Sequence, residues 1–189
     1  KKEPVYACSA CGARFHKWMG RCPECNEWNT LAEAQPVVTS NAARMPARTA
    51  ALSEISMETA ERFLTGISEF DTVCGGGLVP GSIILLGGEP GIGKSTLALQ
   101  AAATRKSLYI SGEESPAQIR QRSNRLAVNE KTITVSASRS VEDIVSLMKS
   151  LRPELVIVDS IQTIATEAMG SAAGTVPQIR ESAARLSDA

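Results

Sequence analysis

From Arg62 onward, short apolar runs alternate with segments whose apolar residues recur every three or four positions. The runs are "SIILLGG" (82–88), "SLYISGEE" (107–114), "TITVSAS" (132–138) and "LVIVDS" (155–160). They are short and rich in β-branched residues, as strands covered on both faces are. Helical segments separate them. "KSTLALQAAATR" follows the first run. "SPAQIRQRSNRLAV" has Ser115 as its N-cap and Pro116 at the first helical position. "SVEDIVSLMKSL" is capped by Ser140 and ends ahead of Pro153. Its Val141, Ile144, Val145 and Met148 share one face, as packing on a sheet requires. "VPQIRESAARLSDA" reads as a last amphipathic helix. Crossovers this short predict an α/β fold with a parallel, doubly wound sheet. Nothing after the last helix completes the sheet, so a fragment of a longer chain is expected.

The chain divides into a cysteine-rich unit at 1–31, a linker at 32–57 and the α/β domain at 58–189. The linker, rich in Ala, Thr, Ser and Pro, has no apolar period.

Composition narrows the function classes. Hydrophobic content is 43% and charged content 21%, which suits an ordered globular chain, and the formal net charge is zero. Nucleic-acid binding would therefore need local patches rather than a globally basic protein. No apolar run approaches the roughly 20 residues of a membrane span, and the first residues lack the apolar core of a signal peptide. A cytoplasmic protein with no membrane partner is expected, in which the five cysteines are not disulfides.

Gly88-Glu89-Pro90-Gly91-Ile92-Gly93-Lys94-Ser95, continued by Thr96, fits the phosphate-binding loop G-x4-G-K-[ST]. Its glycines let backbone N–H groups turn onto a phosphate chain, and the loop ends at a helix N-terminus, which favours an anion. Lys94 is placed to reach the β- and γ-phosphates and the Ser95 hydroxyl to sit on Mg²⁺. Asp159, ending an apolar strand, reads as the carboxylate that holds Mg²⁺, through water. Glu113 and Glu114 end another strand. A carboxylate there can orient water and take its proton. Glu113 is preferred because it directly follows the Ser-Gly strand end, with Glu114 the alternative.

Cys8, Cys11, Cys22 and Cys25 have the spacing C-x2-C-x10-C-x2-C, which brings four thiolates to the corners of a Zn²⁺ tetrahedron. Gly12 and Asn26 follow each second cysteine, where a positive φ is useful. His16 is expected to be exposed rather than a ligand. Arg14, Lys17 and Arg21 interleave with Phe15, Trp18 and Trp28. That set is either a surface that contacts phosphates and stacks on bases, or a small core with a solvated face. Arg120, Arg122 and Arg125 read as a solvated helix face, with a DNA-facing patch as the alternative.

"FLTGISEFDTVCGGGLVPGSIILLGGEPGIGKSTLALQ", "LYISGEES" and "LVIVDSIQTI" resemble the RecA-type ATPases. With the N-terminal cysteines, the resemblance extends from about Tyr6 to Arg185, the linker excepted, to bacterial recombination and repair ATPases related to the replicative hexameric helicases. It implies a RecA-like core behind a four-cysteine zinc ribbon, with ATP/ADP, Mg²⁺ and Zn²⁺ as cofactors. It further implies ATP hydrolysis by a hexameric ring acting on single-stranded and branched DNA in recombination and repair, in the manner of a branch-migration motor, alongside recombination proteins. Lys94, Glu113 and Asp159 then carry the catalysis, Ser95 binds the metal, and Gln162 senses the γ-phosphate. A regulatory ATPase that remodels proteins, with the ribbon as adaptor, is the alternative. The family's "KNRFG" motif and its C-terminal protease-like domain would lie beyond Ala189. The stretch from Lys94 to Leu108 is about one helical turn shorter than the family pattern.

Overall fold

The computed structural model describes residues 5–34, 51–54 and 61–189. Most of the stretch read as a linker lies outside the described residues.

The N-terminal unit is a three-stranded antiparallel sheet in the order β2-β1-β3, with β1 Val5–Cys8, β2 Arg14–Phe15 and β3 Leu31–Ala34. β3 takes in residues 32–34, three positions past the point where the linker was expected to begin. Cys8, Cys22 and Leu31 are its buried residues. So little apolar burial does not hold a thirty-residue sheet without a further tie.

The second unit opens with α1, Ser68–Val73. The buried Asp71 anchors the approach to it, accepting from the Thr65 backbone N–H at 2.9 Å and the Thr65 hydroxyl at 2.8 Å. The glycine run after α1 turns back on Phe63. Gly77 has φ +118°, and a Cβ there would lie 2.7 Å from the Phe63 carbonyl oxygen, so only glycine fits.

Then come α2 Lys94–Ala102, β4 Ser107–Ser111, α3 Pro116–Leu126, β5 Ile133–Ser136, α4 Val141–Leu151, β6 Leu155–Asp159 and α5 Val176–Ser187. The three strands form a parallel sheet in the order β5-β4-β6, with Tyr109 opposite both Val135 and Ile157. Strand alternation divides the core into two layers. Tyr109, Ile133, Val135 and Ile157 pack with Leu99 and Ala102 of α2 and Ile119 of α3. Leu108, Ile110, Val156 and Val158 pack with Val141 and Ile144 of α4, with Ile164, and with Leu186 of α5. The four residues assigned to one face of α4 all meet this second layer. The expected caps are in place: Ser115 forms a capping box with Gln118 ahead of Pro116, and Ser140 accepts from the Asp143 N–H.

One predicted strand is not formed. Among the described residues, 82–88 pair with no strand, and Ile83, Ile84, Leu85 and Leu86 are 70, 45, 85 and 37% exposed. Their apolar pattern is that of a central strand, which needs a partner and cover on both faces. β6 is the last strand of the sheet and leaves one edge open. The return path is short: a seven-residue strand is about 23 Å long, whereas the nine-residue α2 runs back about 13.5 Å. The shortening noted between Lys94 and Leu108 thus falls on the element that would span the missing strand.

Candidate nucleotide site and metal centre

The two Cys-x2-Cys turns of the ribbon have the same backbone pattern. Gly12 N–H donates to the Cys8 carbonyl at 2.9 Å and Asn26 N–H to the Cys22 carbonyl at 2.8 Å. The N–H groups of Cys8 and Cys22 reach the carbonyls of Ala13 and Glu27, both at 2.9 Å. Gly12 and Asn26 take φ +77° and +61°, as their positions in the turns require.

These paired knuckles bring the four sulfurs within 4.8 Å of one another, with Cys8–Cys25 and Cys11–Cys22 at 3.6 Å. A tetrahedral zinc with Zn–S bonds of about 2.3 Å sets its sulfurs about 3.8 Å apart, so the donor set fits the ion. Burial opposes ionisation of Cys8, yet the Thr30 hydroxyl and the N–H groups of Cys11 and Ala10 outweigh it and lower the thiol to about 6. At Cys11 the Ala13 N–H favours the thiolate, but burial and the three neighbouring sulfurs push it up to about 12. Crowded thiols that cannot all ionise unaided are what a divalent cation resolves. His16 is exposed, as expected of a non-ligand.

Trp18 and Trp28 are not core residues: they are 53 and 68% exposed, with the Arg21 guanidinium 5.7 Å from the Trp28 ring centre. The reading of these aromatics as a small core therefore holds only for Phe15, which packs against the sulfur cluster. The buried positions of the ribbon are held instead by Cys8, Cys22 and Leu31.

In the second unit, the phosphate-loop motif leads directly into α2. Gly88, Gly91 and Gly93 all have positive φ. α2 begins without a side-chain cap, whereas α3 and α4 are capped by serines. Its first N–H groups are therefore open to an anion. Lys94 folds over its own loop, donating to the carbonyls of Gly88 at 2.8 Å and Glu89 at 2.6 Å. A phosphate chain would take the ammonium from these two oxygens. α2 ends beside the starts of β4 and β5, where the Ser107 hydroxyl reaches the Ala102 carbonyl and the Thr132 hydroxyl the Ala103 carbonyl. Its N-terminus therefore points toward the C-terminal ends of the strands.

Those strand ends carry the carboxylates. Asp159 ends β6 on the same face as α2 and α3, two residues beyond Ile157, and the Asp159–Ser160 peptide is cis. Glu113 follows β4, is exposed, and accepts from the Ser160 hydroxyl at 2.9 Å. Ser160 thus brings the two carboxylate-bearing strand ends together. Glu114 is differently placed, paired with Arg122 at 2.9 Å. Gln162 lies exposed in the 3-10 turn, Ile161–Thr163, that follows.

Sequence reasoning did not single out Tyr109, Ser160 or Thr163, and it misplaced Arg122. Neither a solvated face nor a DNA-facing patch describes Arg122, whose side chain is 11% exposed and turned toward the sheet, while Arg120 and Arg125 are exposed. Spacing on a helix gives neighbours on its surface but not which of them meets a buried hydroxyl. Tyr109 donates that hydroxyl to Asp159 at 2.7 Å and accepts from Arg122 at 3.3 Å. Burial, then the bond to Asp159, raises the phenol far above its usual range and keeps it the donor.

A parallel sheet with helices on both faces and a glycine-rich loop at a helix N-terminus defines the class: a RecA-like ATPase domain behind a zinc ribbon. Comparison with known families agrees on both units. Residues 6–33 match the rubredoxin metal binding domain, and residues 63–139 match the ATPase family described as KaiC. The chain is 44% identical over 196 residues to the DNA repair protein RadA of Pseudomonas aeruginosa, with 98% of this chain aligned. It is 46% identical over 201 residues to that of Brucella abortus and 42% over 193 residues to that of Aquifex aeolicus. The chain belongs to the bacterial RadA family. It spans 43 to 44% of the length of these relatives. Alignments of 196 and 201 positions against a chain of 189 residues mean that these relatives carry residues this chain lacks. Among the described residues no helix is long and apolar enough to cross a membrane.

Proposed function

We propose that this chain binds Mg²⁺-ATP at the α2 N-terminus and hydrolyses it to drive work on single-stranded and branched DNA in recombination and repair. The observation that carries the reading is an uncapped helix N-terminus directed toward the strand ends that bear Asp159 and Glu113, which Ser160 joins. The relatives' description as DNA repair proteins supports the choice of DNA.

In this reading the N–H groups from Gly88 to Thr96 and the Lys94 ammonium hold the phosphates. Ser95 and Asp159 hold the cation, which screens the charge of the phosphate oxygens. Glu113, exposed and hydrogen-bonded only lightly through Ser160, orients water and takes its proton, and Gln162 contacts the γ-phosphate. The pairing of Glu114 with Arg122 supports Glu113 over Glu114 for the base role. The zinc ribbon extends to Ala34, the end of β3, a linker follows up to residue 57, and the ATPase core occupies 58–189. The working assembly is a hexameric ring in the cytoplasm, where a neighbouring subunit supplies the cation that stabilises the transition state.

The test is ATP binding and turnover with and without single-stranded DNA. Lys94→Ala loses nucleotide affinity. Glu113→Gln keeps that affinity and loses turnover by roughly 10²-fold or more, the usual contribution of a general base. Normal turnover by Glu113→Gln together with loss in Glu114→Gln would reverse the assignment. Turnover indifferent to DNA but raised by a protein partner would favour the protein-remodelling reading.

A further inference from the structure

Tyr109 sits at the middle of β4 with no exposed surface, between Leu99 and Ala102 of α2 and Ile119 of α3. A buried phenol must place its hydroxyl, and this one lies in a chain of polar contacts. Glu114 Oε1 accepts from Arg122 Nη1 at 2.9 Å, Arg122 Nη2 donates to the Tyr109 hydroxyl at 3.3 Å, and that hydroxyl donates to Asp159 Oδ2 at 2.7 Å. The chain runs from the start of α3, across β4, to the end of β6. Asp159 is the diagonal neighbour of Tyr109 on the same sheet face, a separation that a long side chain spans. Arg122 Nε and Glu114 Oε2 are buried without a protein partner, so this is not a pair arranged for its own satisfaction alone.

The arrangement has a consequence for the strand-end carboxylate. Asp159 would otherwise rotate freely about two side-chain bonds. A tether on one oxygen, from a donor that is itself locked in the core, fixes that rotation and leaves the second oxygen for a cation. We propose that Tyr109, anchored by Arg122, is a positioning residue that orients Asp159 toward the nucleotide-bound divalent cation. The proposal rests on the reading of Asp159 as the carboxylate that faces that cation. It also makes α3 part of the metal site, because a displacement of Arg122 is felt at Asp159 through one phenol.

Mn²⁺ is the probe, titrated by electron paramagnetic resonance into the chain saturated with a non-hydrolysable ATP analogue. Wild type, Tyr109→Phe, Arg122→Gln and Asp159→Asn are compared, with analogue affinity also measured in EDTA. Tyr109→Phe keeps the buried ring and removes only the tether. It is expected to weaken Mn²⁺ binding about tenfold, the loss of one hydrogen bond to a charged group, with metal-free analogue affinity unchanged. Arg122→Gln, which keeps the phenol and removes its anchor, is expected to weaken it by a smaller factor. Mn²⁺ affinity retained in Tyr109→Phe but reduced in Asp159→Asn overturns the proposal and spares the reading of Asp159. Affinity retained in Asp159→Asn overturns both. If Tyr109→Phe loses its helical circular dichroism, Arg122→Gln decides, and wild-type Mn²⁺ affinity in that variant overturns the proposal.

Discussion

Gly112 joins β4 to Glu113, and its hydrogen atoms leave no room for anything larger. A Cβ built at this position would lie 2.0 Å from Thr163 Oγ1 and 2.6 Å from Thr163 Cβ. Thr163 does not simply rotate away, because both its Cβ and its hydroxyl are in the path, and the hydroxyl donates to the Ser160 carbonyl at 2.7 Å. Gly112→Ala must therefore move the turn after β6 or the end of β4. Overpacking of this kind costs about 1–3 kcal/mol. Against it stands the usual gain of about 0.4–1 kcal/mol when alanine restricts the unfolded chain, so the net sign tests the packing directly. For a chain of this size each kcal/mol lowers the melting temperature by about 2–4 °C. The variant should melt several degrees below wild type in a calorimetric scan. The same displacement should weaken turnover, since Glu113 is the next residue and its Ser160 contact moves with Thr163. A Gly112→Ala protein that melts at or above the wild-type temperature would refute the close approach of the two turns.

Three further outcomes follow from the same geometry. Cys22→Ser should reduce bound zinc from one per chain to near none, measured by metal analysis, and unfold the ribbon while the ATPase unit keeps its melting transition; loss of that transition would show the two units to be interdependent. Asp71 and Glu142 have lowered pKa values, Asp71 chiefly through the Thr65 N–H and Glu142 chiefly through the Thr166 hydroxyl. Their contribution is complete above the ordinary carboxylate range of about 4 and fades as pH falls through the lowered values, so Asp71→Asn and Glu142→Gln should flatten the acid limb of stability in melts between pH 2 and 6. Inserting two helical turns after Ala102, about 10.8 Å, should lengthen α2 to match residues 82–88 and let them pair, seen as new amide-exchange protection at Ile83–Leu86 and tighter nucleotide binding; protection unchanged by the insertion would mean that helix length is not what holds the strand out.

Local patterns determined much of this protein. Cysteine spacing, the glycines of the phosphate loop, the Ser115 and Ser140 caps and the apolar face of α4 each act through residues a few positions apart, so each was legible without a fold. The parallel α/β arrangement was legible too, because three of the four apolar runs pair as their composition demands. The fourth, 82–88, was not, since its apolar character says it should be buried but not whether an edge and a long enough helix exist to bury it. In the sequence Glu113 was preferred to Glu114 only for its place directly after the Ser-Gly strand end. Tertiary packing separated them by giving Arg122 to Glu114 and Ser160 to Glu113. Trp18 and Trp28 went to the surface, while Cys8, Cys22 and Leu31 took the ribbon's buried positions. Tyr109 looked like one more apolar strand residue until the register with β6 set its hydroxyl on Asp159, 50 residues away. Contacts at that separation depend on which strands become neighbours, and strand order is a property of the whole packed sheet rather than of any segment within it.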